Sequence, residues 1–329
     1  MVQIGIPNLD PGLEKDLLEG MVKVEAFIRE SIEGKYPLVI ETSRHLVDAG
    51  GKRLRPLMVL LASQFGNPKA PGLIEAAVVC ELTHLGTLYH DDVMDEAPLR
   101  RGVESANKRW NNTVAILTGD YLFAKTSQLL ADLGPEAVRL QALTFERLVI
   151  GQITETQGSS AGLSPLDHYI NVIADKTASL LSASARYGAM ISGADRKIMD
   201  ALTKFGEEIG IVFQLADDII DIESTSGESG KTPGTDLREG VPTLVTLFIL
   251  ESNDPADAQL KKILSAPIND EKIVQDTLKT LRTHKAMAQA KELVQKYAAS
   301  ARENLAELPE GKAKQALVEL SDAVINRTA

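Results

Sequence analysis

Two short acidic runs give the first sign of chemistry. In His90-Asp91-Asp92-Val93-Met94-Asp95, Asp91 and Asp95 are four residues apart, which sets two like charges on one helix face and costs stability unless something neutralises them. The pattern recurs at Asp217-Asp218-Ile219-Ile220-Asp221. Each run closes a long apolar helical stretch, where the helix dipole disfavours negative charge. A hard divalent cation resolves both conflicts, because magnesium takes oxygen ligands and commonly bridges one or two carboxylates to the phosphates of a substrate. One such run alone reads as a solvated helix end, and it is the duplication that points to metal. A di-iron carboxylate bundle is disfavoured because it needs a pair of Glu-x-x-His motifs, and Glu81-Leu82-Thr83-His84 has no second to pair with.

A metal-bound anion also calls for concentrated positive charge, since the chain as a whole is acidic. The formal net charge is -11, a balance that argues against general affinity for nucleic acid or anionic membrane. Gly50-Gly51-Lys52-Arg53-Leu54-Arg55-Pro56 sets three cations beside two glycines, whose amides can approach an anion closely. Arg100 and Arg101 follow the first acidic run in a Pro-containing loop, and the planar donor fork of arginine suits phosphate. Lys176-Thr177 lies in a helical stretch, and Lys231 lies in the Gly-rich segment after the second run. His84 precedes Asp91 on the same helical stretch and could donate to a phosphate. Each of these alone reads as a surface or structural residue; their grouping beside the acidic runs is what counts.

The elements that must position these groups are helical. Apolar residues recur at helical spacing almost throughout, without convincing alternation, and aromatics are only 4% of the chain, which suits helices packed on helices. Gly and Pro punctuation predicts helices near Gly12 to Ser31, Pro37 to Ala49, Arg55 to Phe65, Pro71 to His90 and Thr113 to Leu133. Further ones are predicted near Pro135 to Gln157, Pro165 to Gly193, Ala194 to Ile222 and Thr243 to Glu251, with several after Pro255. No linker or fixed-period repeat divides the chain, so one all-α domain over residues 1–329 is expected, with its site where long helices end. Cys80 is the only cysteine, so no intramolecular disulfide is expected and a reducing compartment fits. The N-terminal stretch lacks a basic region followed by an apolar run, so no secretory signal is read. Val241 to Leu250 is too short to span a bilayer. A cytoplasmic location follows as the expectation.

Taken in order, GGKRLRP, DDVMDEAPLRRG, Lys176-Thr177, FQLADDIID and GKTPGTDLREG resemble the signature of trans-isoprenyl diphosphate synthases, over residues 50–240. The resemblance implies a bundle of long helices around a central cavity and a magnesium-dependent enzyme that condenses an allylic prenyl diphosphate head-to-tail with isopentenyl diphosphate. On matching residues it implies that Asp91, Asp95 and Asp217 ligate three magnesium ions, supported by Asp92, Asp218 and Asp221 directly or through water. Arg100, Lys176 and Lys231 would hold the allylic diphosphate, and Lys52, Arg55, His84 and Arg101 would grip isopentenyl diphosphate. Thr177 and Gln214 would face the allylic cation, with the departing diphosphate taking the final proton. A homodimer is implied by resemblance alone.

Product length is read from the helix ahead of Asp91, where Thr87, Thr83, Cys80 and Ala76 form a stripe of modest side chains beside Gly86. Short-chain relatives typically carry a bulky aromatic at or next to position 86. At about 1.5 Å per residue the stripe could border a path of roughly 20 Å, which favours a long quinone-tail type of product. Close helix packing would also explain small residues here. Three alternatives stay open: a shorter-chain farnesyl or geranylgeranyl synthase, a class I terpene cyclase that needs no second diphosphate, and a non-catalytic subunit of a heteromeric synthase. The two acidic runs and GGKRLRP favour condensation over the last two.

Overall fold

A computed structural model describes residues 4–158, 162–224 and 233–325. Helices α1 (Pro11–Ser31), α2 (Pro37–Asp48), α3 (Leu54–Ser63) and α4 (Leu73–Met94) lead to a hairpin of β1 (Leu99–Arg100) and β2 (Val103–Glu104). Then follow α5 (Ala106–Arg109), α6 (Asn112–Leu133), α7 (Pro135–Gln157), α8 (Pro165–Ile173), a π-helical turn at Ala174–Ala178, α9 (Ser179–Ser192) and α10 (Arg196–Glu223). The remainder is α11 (Thr235–Glu239), α12 (Leu244–Leu250), α13 (Ala258–Leu264), α14 (Glu271–Thr283), α15 (Lys285–Asn304) and α16 (Lys312–Ile325). The expected all-α class holds. Among the described residues no helix is long and apolar enough to cross a membrane.

Local chemistry accounts for the well-defined ends. The Asp10 carboxylate accepts from the amides of Gly12 and Leu13 at 3.0 and 3.1 Å, which supplies partners for two otherwise unpaired donors at the start of α1. Pro11 opens that helix without losing a hydrogen bond. Arg282 caps the C-terminus of α10, donating to the carbonyls of Ile222 and Ser224 at 2.8 and 3.0 Å. Its charge offsets the negative end of the helix that carries the second acidic run.

Three expectations need correction. Helix α4 continues to Met94 instead of ending at His90, so Asp91 and Asp92 are helical and Asp95 is the C-cap. The single helix expected from Pro165 to Gly193 is interrupted by five π-helical residues, Ala174–Ala178, against which Gly151 and Gly210 pack closely. The loop after the first acidic run contains a small β-hairpin. Its turn residues Arg101 and Gly102 have φ of 53° and 79°, as a two-residue hairpin requires. Strands of two residues are too short for alternation to show.

The chain gathers into two compact units. The first comprises Met1–Glu146, Leu180–Gly206 and Leu305–Glu319. Its central element is α4, apolar nearly all round, with Val78, Val79, Leu82, Leu85 and Tyr89 fully buried. This helix packs most extensively on α6, and also on α3 and α1. The second unit comprises Arg147–Ser179, Glu207–Asn304 and Leu320–Ala329. Within it α12 packs on α8, α13 and α15.

Candidate active site

In the first unit the acidic run sits at the end of α4. Asp91 is half-buried, Asp92 is fully buried and Asp95 is exposed. Arg100 Nε donates to Asp92 Oδ1 at 2.6 Å, while Asp92 Oδ2 is buried without a hydrogen-bond partner. Burial raises the Asp92 carboxyl, and the Arg100 charge opposes that rise. An orphaned buried acceptor beside two further carboxylates suits an oxygen-seeking divalent ion. Among the described residues no three acidic, imidazole or thiol groups are drawn together tightly enough to hold a metal unaided. Phosphate oxygens would have to complete the coordination, as is usual for magnesium.

The same unit gathers the basic residues. Arg55, Arg101, Arg100 and Arg53 all bear on His84, whose ring burial and these charges hold well below the usual imidazole range. His84 is thus neutral at physiological pH and retains an N–H donor. Arg55 Nε is buried and unpaired. A desolvated cation with an unused donor, beside a neutral imidazole, is a receptive site for an anion. Arg101 donates through Nη1 to the carbonyls of Leu46, at 2.8 Å, and Gly50. Lys52 is exposed.

Arg53, in the middle of the basic motif, has a different position. Its guanidinium binds Glu25 Oε1 at 2.5 Å and Glu81 Oε1 at 2.7 Å. Burial works against its charge, but Glu81 and Glu25 outweigh burial and raise its pKa. Arg53 therefore anchors the loop from within, in a left-handed conformation with φ of 48°. Glu81, 1% exposed in an apolar helix, was legible as a buried charge requiring a partner, yet sequence reasoning passed over it.

Along α4, Ala76, Cys80 and Thr83 are fully buried, and Thr87 is half-buried. Thr83 Oγ1 accepts from Gln141 Nε2 at 2.9 Å. Burial pushes the Cys80 thiol up to about 12. The Gly86 face meets Phe123, which stacks edge-on with Phe145 at 4.8 Å between centroids. A cavity of about 260 Å³ lies against these two rings, lined also by Thr126, Leu130, Val138 and Gln141. Tyr89 points elsewhere, hydrogen-bonded to the carbonyl of Thr42.

The second unit holds the remaining candidates. Lys176 and Thr177 lie in the π-helical turn, a geometry that frees backbone groups and often marks functional positions. Arg147 Nη2 donates to the Ala174 carbonyl at 3.3 Å, and its guanidinium also binds Asp175 at 2.7 Å and Glu207 at 2.8 Å. Two glycines permit close approach: an added Cβ would lie 2.7 Å from Lys176 N at Gly151 and 2.6 Å from Ala178 Cα at Gly210. Lys176 pairs with Glu155. Thr177 Oγ1 donates to Gln214 Oε1 at 3.4 Å.

The acids of the second run differ in their partners. Asp218, 3% exposed, accepts from Gln214 Nε2 at 3.1 Å, from the Leu244 amide at 3.4 Å and from the Tyr169 hydroxyl. Burial pushes its carboxyl up to about 6 despite those donors. Asp221 accepts from the amides of Thr235 and Asp236 at 3.2 and 3.3 Å, at the start of α11. Asp217 is half-buried. Lys231 lies outside the described residues.

Comparison with known proteins shows the family. The sequence profile described as "Polyprenyl synthetase" matches residues 36–281. The chain belongs to the polyprenyl synthetase family. It is a trans-prenyltransferase of that family. A nonaprenyl diphosphate synthase of Mycobacterium tuberculosis is 46% identical over 94% of this chain and 92% of its own length. A geranylgeranyl pyrophosphate synthase from Corynebacterium glutamicum, solved with calcium and isoprenyl diphosphate, is 43% identical with a TM-score of 0.87, covering 97% of this chain and 98% of its own. A decaprenyl diphosphate synthase from Rhodobacter capsulatus is 32% identical with a TM-score of 0.87, covering 96% and 98%. For a polyprenyl synthetase, Glu81, Arg147, Tyr169, Glu155 and Phe123 are the residues that sequence reasoning missed. Each meets its partner across a long stretch of chain.

Proposed function

We propose that this polyprenyl synthetase lengthens an allylic prenyl diphosphate by successive condensation with isopentenyl diphosphate, giving a long all-trans polyprenyl diphosphate of the quinone-tail type. The observation that carries this reading is the cluster of Arg55, His84 and Arg101 beside the acidic end of α4, with Arg55 Nε unpaired. A second diphosphate needs such a site and a cyclase does not. The small residues at Gly86 and Thr87, and the nonaprenyl name of the 46% identical relative, support the long product.

In this reading Asp91, Asp95 and Asp217 hold magnesium, with Asp92, Asp218 and Asp221 supporting them. When bound, the metal would neutralise charge building on the diphosphate as its C–O bond breaks. Arg100, Lys176 and Lys231 hold that diphosphate, and Lys52, Arg55, His84 and Arg101 hold isopentenyl diphosphate, so that positioning contributes much of the rate. The Thr177 hydroxyl oxygen and Gln214 carbonyl stabilise the allylic cation without bonding to it. The alkene of isopentenyl diphosphate attacks that cation, and the released diphosphate takes the proton lost from the new tertiary cation. A cytoplasmic homodimer forming one catalytic domain over residues 1–329 completes the proposal.

The test is incubation of the purified chain with labelled isopentenyl diphosphate, magnesium and allylic primers of increasing length, followed by sizing of the dephosphorylated alcohols. Extended alcohols are expected. Hydrocarbon formed without isopentenyl diphosphate would instead mark a cyclase, and turnover only with an added subunit would mark a heteromeric component.

A further inference from the structure

We infer that Tyr169 and Asp218 are positioning residues that fix which end of the Gln214 amide faces Thr177. The inference rests on the reading that Thr177 and Gln214 face an allylic cation. The two ends of a glutamine amide have nearly the same shape and opposite polarity, so partners must choose between them. An ionised carboxylate only accepts, and Asp218 Oδ1 is 3.1 Å from Gln214 Nε2. The amide nitrogen is thereby committed to Asp218, and the carbonyl Oε1 is left towards Thr177, whose hydroxyl is 3.4 Å away.

Asp218 is itself held in place. The Tyr169 hydroxyl and the Leu244 amide both donate to its other oxygen, Oδ2. Hydrogen bonds thus run from two directions into one buried carboxylate. The chain Tyr169, Asp218, Gln214, Thr177 ends in the oxygens Gln214 Oε1 and Thr177 Oγ1. Reversing the amide would aim an N–H dipole at developing positive charge and cost rate in the transition state alone. Asp218 acts in this way through Gln214, apart from any support it gives to metal.

The test is steady-state kinetics on the full chain with both diphosphates. Tyr169→Phe is expected to lower kcat about 5- to 10-fold with both KM values nearly unchanged, since the affected charge exists only in the transition state. In a Gln214→Leu background the same change should add less than about 2-fold, because the path it acts through is gone. The second arm exchanges donor and acceptor. Gln214→Glu or Asp218→Asn alone should each cost about 100-fold, whereas the double exchange restores the hydrogen bond and an acceptor towards Thr177 and should recover at least about 10-fold.

Multiplicative effects of Tyr169→Phe and Gln214→Leu would overturn the inference. So would a double exchange no faster than the slower single variant, and this arm decides alone if Tyr169→Phe does not fold. A folded wild-type chain that extends no primer would overturn the functional reading and this inference with it. An active wild type with either negative result overturns the inference only.

Discussion

The ring of Phe123 occupies the space that glycine leaves at position 86: a Cβ placed on Gly86 would lie 2.6 Å from Phe123 Cε1. The small residue on α4 therefore makes room for a large one on α6. The expected outcome is that the pair, not the α4 stripe alone, controls chain length.

Phe123→Ala should open the Gly86 face towards the neighbouring 260 Å³ cavity and shift the alcohol products to longer chains by one or more isoprene units. Gly86→Phe must displace that ring and should shorten them. Unchanged distributions in both variants would show that product length is set elsewhere.

The π-helical turn predicts a sharp glycine requirement. Gly151→Ala would bring a methyl group to 2.7 Å from the Lys176 backbone nitrogen, and backbone cannot swing aside as a side chain can. A loss of about 1–3 kcal/mol in denaturant unfolding is expected, together with a drop in kcat. Gly5→Ala, with nothing within 4 Å, serves as the control and should leave both unchanged.

Glu81→Gln should be strongly destabilising although it is nearly isosteric. Arg53 is only 6% exposed, and removing one partner of a buried ion pair costs about 3–5 kcal/mol. The urea midpoint reads the loss, and KM for isopentenyl diphosphate should rise as the basic loop loosens. A variant as stable as wild type would place the anchoring charge on Glu25 alone.

His84 makes stability depend on pH in a defined direction. Its pKa is depressed in the folded protein by burial and the surrounding arginines, so as pH falls the unfolded chain takes up the proton first. The stabilising difference is fully present above the unfolded value of about 6.5 and is lost below it, with a slope of at most about 1.4 kcal/mol per pH unit. Unfolding free energies at pH 7.5 and 5 should therefore diverge less in His84→Gln than in wild type. Parallel losses would rule out this contribution.

Sequence alone determined the all-α class, most helix spans and the resemblance to a prenyl synthase, because periodicity, caps and motif spacing are properties of neighbouring residues. It could not assign jobs within a motif. Arg53 stands between Lys52 and Arg55 in GGKRLRP, yet it is an internal anchor because Glu25 and Glu81 each lie 28 residues away and face it. Tyr169 reaches Asp218 across 49 positions, and the π-helical turn at Lys176 exists where Gly151 and Gly210 let neighbouring helices press close. Tertiary structure decided these points because burial and pairing between distant segments set whether a charge is solvated, shared or left to meet a ligand, and no local pattern in the chain encodes that choice.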